Sequence, residues 1–87
     1  MNHSDTMIQK LEKWRDMALD NINIAKNRIK ERLEDYSKWG LDINHDYVKK
    51  VIDSEKELLG EFEKQYNGYQ SIIDGIKEGY IKIKSSK

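Results

Sequence analysis

Apolar residues recur at steps of three and four through nearly the whole chain, and no proline stands anywhere to interrupt a helix. Steps of that size bring side chains round to one face of a 3.6-residue spiral, so the pattern dictates helices and leaves their number and length as the open question. In the first half the face is Leu11, Trp14, Ala18, Ile22, Ala25, Ile29, Leu33 and Tyr36, with Met7 extending it backwards. Leu11, Ile22 and Leu33 stand eleven residues apart, as do Trp14, Ala25 and Tyr36; eleven residues in three turns favour a nearly straight rod. Thr6 with Gln9 three residues on fits a capping box and places the start of this helix at residue 6.

The face stops at Trp39-Gly40, where a glycine can adopt the left-handed conformation that closes a helix and Asp42 or Asn44 can cap the next. Beyond it Val48, Ile52, Glu55, Leu59, Phe62, Tyr66, Tyr69, Ile73, Ile76, Tyr80 and Ile83 alternate steps of four and three, broken in character only by Glu55. Val51, Leu58 and Ile72 fill a third heptad position and make the stripe wider than a two-stranded coil needs. Gly60, Gly68, Gly75 and Gly79 each weaken a helix interior by about 1 kcal/mol. A break at Asn67-Gly68 would give a three-helix bundle, but the heptad phase runs through that dipeptide intact, which favours one long helix.

The expectation is therefore a single all-α domain: an antiparallel, coiled-coil-like hairpin with helices over 6–39 and 44–83, a turn at 40–43, and flexible ends at 1–5 and 84–87. Folded about residues 41 and 42, residue i faces roughly residue 83 minus i. The only two alanines, Ala18 and Ala25, then meet Tyr66 and the Leu58-Leu59 pair, so that small faces large. Trp14 meets Tyr69. Arg28 meets Glu55, the one charge in the seam, and such a pair fixes register more than it adds stability.

A chain of 87 residues hides only about 60% of the surface its unfolded form exposes, so its core is thin and the wide stripe calls for more cover. The hairpin is accordingly expected to pair into a four-helix bundle or to dock on a partner's helices. The residues expected to form that interaction seam are Leu11, Trp14, Ile22, Ile29, Leu33, Leu58, Leu59, Phe62, Tyr66, Tyr69, Ile73 and Ile76, with Arg28 and Glu55 as the register pair.

Little in the sequence speaks for chemistry. Without cysteine there is no disulfide, thiolate metal site or thiol nucleophile. His45 beside Asp42 and Asp46 reads as helix capping rather than a metal site; no Glu-x-x-His or His-Glu-x-x-His occurs, and no glycine loop is spaced to cradle phosphate. No cofactor is expected. Sixteen basic residues balance sixteen acidic ones, which argues against a dedicated nucleic-acid binder, although Lys77, Lys82, Lys84 and Lys87 leave the last stretch mildly basic. The longest apolar run is Met17-Ala18-Leu19, far short of a membrane span, and the N-terminal residues carry no signal-peptide apolar region, so no classical signal peptide is expected. A cytoplasmic location is expected, with secretion by another route left open.

The expected function is that of a non-enzymatic interaction protein, an adaptor or inhibitor whose partner is a second copy of itself or a helical protein. Abundant Lys, Ile and Asn with few Ala point to an AT-rich bacterial, phage or mobile-element gene. The competing expectation starts from Trp39-Gly40 at the turn of a short helical hairpin, which resembles the small type VII secretion proteins that carry Trp-X-Gly between two helices. That resemblance implies export as a helical dimer. Two departures weigh on it: Gly40 follows Trp39 directly, and the Tyr-x-x-x-Asp/Glu export signal is missing, with Gln70 four residues after Tyr66 and Ile73 four after Tyr69.

Overall fold

The computed structural model describes residues 3–79 and 81. Among them the chain forms two helices, α1 (His3–Lys38) and α2 (Asp46–Glu78), which pack against each other as an antiparallel hairpin. The molecule measures 61 × 21 × 18 Å, one helix length by two helix widths. The helix α2 runs unbroken through Gly60, Gly68 and Gly75, so the three-helix alternative is wrong. The apolar phase explains it: a face continuous across Asn67-Gly68 is buried against α1 on both sides of the dipeptide, and that burial outweighs the glycine penalty.

The boundaries differ from the sequence expectation at three places. The helix α1 begins at His3, a turn before the capping box placed it, so residues 3–5 are helical. Its far end closes as expected on Gly40, whose φ of +74° lets Leu41 N–H reach back to Tyr36 O at 2.8 Å and Gly40 N–H to Ser37 O at 3.1 Å. The second difference is the cap of α2, which is His45 and neither Asp42 nor Asn44. Asp42 instead organises the turn, its carboxylate accepting from Asn44 N–H and its carbonyl from His45 N–H. That turn sets His45 in extended backbone, where its Nδ1 accepts from Tyr47 N–H at 3.2 Å.

The third difference is the end of α2. It stops at Glu78, not residue 83, because Gly79 turns left-handed at φ +84° and its N–H bonds Ile76 O. Ile81 then folds back, donating its N–H to Gly75 O at 3.0 Å and laying its side chain where a β-carbon on Gly75 would stand. The rest of the expected helical extension, the flexibility expected at 84–87 and the basic residues Lys82, Lys84 and Lys87 lie outside the described residues, as do residues 1 and 2.

The core is a single seam between the helices. Leu11, Ala18, Ile22, Ala25 and Tyr36 are buried on α1, and Val48, Ile52 and Ile73 on α2. Near the turn Tyr36, Val48 and Ile52 form one cluster with Leu33 and Val51 packed on it. Asp5 and Asp46 in the first turns, with Lys38 and Lys77 in the last, place each helix's end charges favourably for its dipole.

Candidate interaction surface

The seam sets which side chains remain free on its two sides. Trp14 and Tyr69 meet across it with ring centroids 6.1 Å apart, and Arg28 Nη2 donates to Glu55 Oε1 at 3.0 Å; both pairs sum to 83. Glu55 is buried, and Arg32 Nε adds a second cation 3.2 Å from the same oxygen. The other carboxylate oxygen, Oε2, is buried without a hydrogen-bond partner. The rule of 83 singles out Arg28 alone as the partner of Glu55; Arg32 joins it because it lies one turn further along α1 on the same side.

Of the residues expected in the interaction seam, Leu11, Ile22 and Ile73 are buried, and Ile29, Leu33, Leu59, Phe62, Tyr66, Tyr69 and Ile76 are half-buried. Trp14 and Leu58 are exposed. Tyr66, which the rule of 83 sets beside Ala18, is half-buried, as an alanine can cover a phenol ring on one side only.

One flank of the hairpin is closed by polar groups. Arg15 Nη1 donates to Gln70 Oε1 at 2.9 Å across the helices, and Gln70 Nε2 passes the chain on to Asp74 Oδ1, also at 2.9 Å. Arg15 also donates twice to Asp16, and that hydrogen bond raises the guanidinium above its ordinary pKa. Leu19, one turn beyond Arg15, is the exposed apolar side chain on this side.

The opposite flank is open. A shallow groove there is lined by Trp14, Met17, Ala18 and Asn21 from α1 and by Gln65 and Tyr69 from α2. Steps of seven residues return to nearly the same side of a helix, so Ile24 continues the line of Met17, and Leu58 and Ile72 continue that of Gln65 in both directions. Met17 and Ile24 are each 55% exposed, Trp14 44%, and Leu58 and Ile72 are exposed as well. Met17 and Ile24 were missed in the sequence because they fall one step outside the three-and-four seam; their mutual spacing of seven was the available signal. Toward the turn this flank ends at Arg28 and Glu55.

Among the described residues no group of three or more His, Cys, Asp or Glu is placed to hold a metal ion, and no helix is long and apolar enough to cross a membrane. No protein-family model, curated protein or solved structure matches the chain.

Proposed function

We propose that this chain is a non-enzymatic protein–protein interaction module, an adaptor or inhibitor that engages helices in trans through the open flank of its hairpin. The observation that carries the reading is the alignment of large apolar side chains on both helices of one flank, Met17 and Ile24 beside Leu58 and Ile72, while the other flank is sealed by Arg15, Gln70 and Asp74. Exposed apolar residues scattered singly need no explanation, whereas apolar residues lined up along both helices of one flank, about a polar pair at Asn21 and Gln65, suit a surface that is covered in use. Its width suits one further layer of helices, and a second helical layer is how a hairpin completes a four-helix core.

The test separates a docking surface from a piece of the hairpin's own packing. Met17→Ser with Ile24→Ser is introduced, and urea unfolding is followed by circular dichroism at a dilution where the chain sediments as a monomer. On this reading the pair leaves the stability of the lone hairpin within about 0.5 kcal/mol of the parent, as exposed positions do. A loss of more than about 2 kcal/mol, the size associated with core residues, would mean that these side chains serve the monomer and would overturn the reading. A parent hairpin that melts on dilution supports it equally, because the fold then persists only with the strip covered.

A further inference from the structure

Resting on that reading, we infer that the occupant of the open flank is a second copy of this chain, laid antiparallel across a two-fold axis that passes by Asn21 and Gln65. The first ground is area. A compact monomer of 10.4 kDa exposes roughly 5,400 Å², whereas the hairpin exposes 6956 Å². Two hairpins joined into a body as compact as a monomer of twice the mass would bury about 5,000 Å² in total, the upper end of what obligate homodimers bury. Half of that would still exceed the area of an ordinary stable complex.

The second ground is that the flank is complementary to itself. A two-fold interface brings each residue i of a helix against a residue j of the other copy and j against i, so the strip must read alike from both ends. On α2 Leu58 and Ile72 lie seven residues either side of Gln65. On α1 Met17 and Ile24 lie evenly about the 20–21 peptide, and so do Lys10 and Glu31. Turned about an axis that passes by both centres, Leu58 of each copy meets Ile72 of the other and Met17 meets Ile24. Lys13 meets Arg28, whose guanidinium is already paired with Glu55 in its own hairpin.

By the rule of 83 the two centres lie two to three residues apart along the hairpin, and since Asn21 and Gln65 both line the groove, one axis slanted across the strip passes by each. Each amide then faces its own twin across the axis. A single polar layer in an apolar interface is the device that fixes register and orientation in helical bundles, because a slipped or reversed pairing would bury those amides unpaired.

Because the chain carries no cysteine, the geometry can be read by introducing one at a time. In Gln65→Cys the two thiols face each other across the axis, within the short Cα separation a disulfide requires, and mild oxidation is expected to link most of the chain into a covalent dimer. Leu58→Cys and Ile72→Cys are each expected to stay unlinked alone and to link when mixed. Light scattering on the unoxidised parent is expected to give twice the single-chain mass. A dimer in which the Gln65→Cys thiol stays free while Leu58→Cys links to itself overturns the axis but leaves the docking reading in place. A single-chain mass at every concentration overturns the second copy as occupant, and the serine pair at Met17 and Ile24 then decides separately whether the flank is a docking surface at all.

Discussion

The two flanks of the hairpin are built from the same two helices and end differently. On one, Arg15 reaches Gln70 across the helices and Gln70 reaches Asp74 within α2, so the edge of the seam at that level is closed by hydrogen bonds that water also satisfies when they open. On the other, Met17 and Ile24 face outward beside Leu58 and Ile72, and Trp14 stays 44% exposed although its ring meets Tyr69. A polar seal suits an edge that stays in solvent, because its groups lose little by being wet. An apolar strip suits an edge that is wet only part of the time, since each square ångström left exposed forgoes about 25 cal/mol of burial. The contrast shows that a thin two-helix core can be closed by polar groups on one side and left apolar on the other.

The largest expected effect lies beneath both flanks. Ile73 has no exposed surface, and Ile73→Ala should destabilise the fold by about 2–5 kcal/mol in a urea titration. The loss should be the same whether the open flank is covered or bare; a loss confined to the assembled state would mean that the seam itself forms only on assembly, which would break the contrast between core and flank. Arg28→Glu comes next. It faces a buried carboxylate with a like charge; breaking a fully buried pair costs about 3–5 kcal/mol, and the cost here is smaller because the Arg28 side chain is 48% exposed and screened by solvent and because Arg32 still reaches Glu55 Oε1. Adding Glu55→Arg should recover part of the loss, a coupling that independent effects at the two sites would refute. The change Glu55→Leu should be neutral or stabilising, because it also removes the unpartnered Oε2, and it should loosen the register that hydrogen exchange reports along α2.

A smaller pair of variants sets the flanks directly against each other. Gln70→Ala takes away the acceptor of Arg15 and should lower the stability of the lone hairpin slightly but measurably. Met17→Ala on the open flank should cost almost nothing there. If the order is reversed in the monomer, the flank described as open is the one that stabilises the hairpin.

The helical content, the single hairpin and the residues that face one another were legible because all three follow from periodicity. A phase unbroken from Val48 to Ile76 carries more information than any one of the glycines within it. The turn was legible only in part. Gly40 was a strong signal, since its left-handed φ is the conformation a β-carbon resists, but His45 as the cap depended on how Asp42 turned the chain, which residue preference alone does not decide. The open flank was half legible. Leu58 and Ile72 stood out as an extra heptad position, whereas Met17 and Ile24 looked like stray apolar residues until Gln65 and Tyr69 were placed beside Trp14. The Arg15–Gln70–Asp74 seal was not legible, because charged and amide residues crowd the whole sequence and only the packed register selects which of them meet.

The smallest effects come from the glycines, and they sharpen the comparison at the far end of α2. A β-carbon on Gly68 would meet nothing within 4 Å, and the position is in a helix interior, so Gly68→Ala should stabilise the hairpin by about 0.5–1 kcal/mol through the entropy the unfolded chain no longer has. Gly75 has the same backbone and the same gain to offer, yet a β-carbon there would stand 2.6 Å from Ile81 Cδ1. The side chain of Ile81 can swing away, but only by giving up the contact that folds residue 81 back onto α2. Gly75→Ala should therefore fall short of Gly68→Ala in thermal stability, and the shortfall measures what that contact contributes. If Gly75→Ala and Ile81→Ala combined are no different from Gly75→Ala alone, the β-carbon has already displaced the side chain; equal gains at Gly68 and Gly75 would mean that the fold-back contributes nothing and that α2 ends at Gly79 for local backbone reasons only.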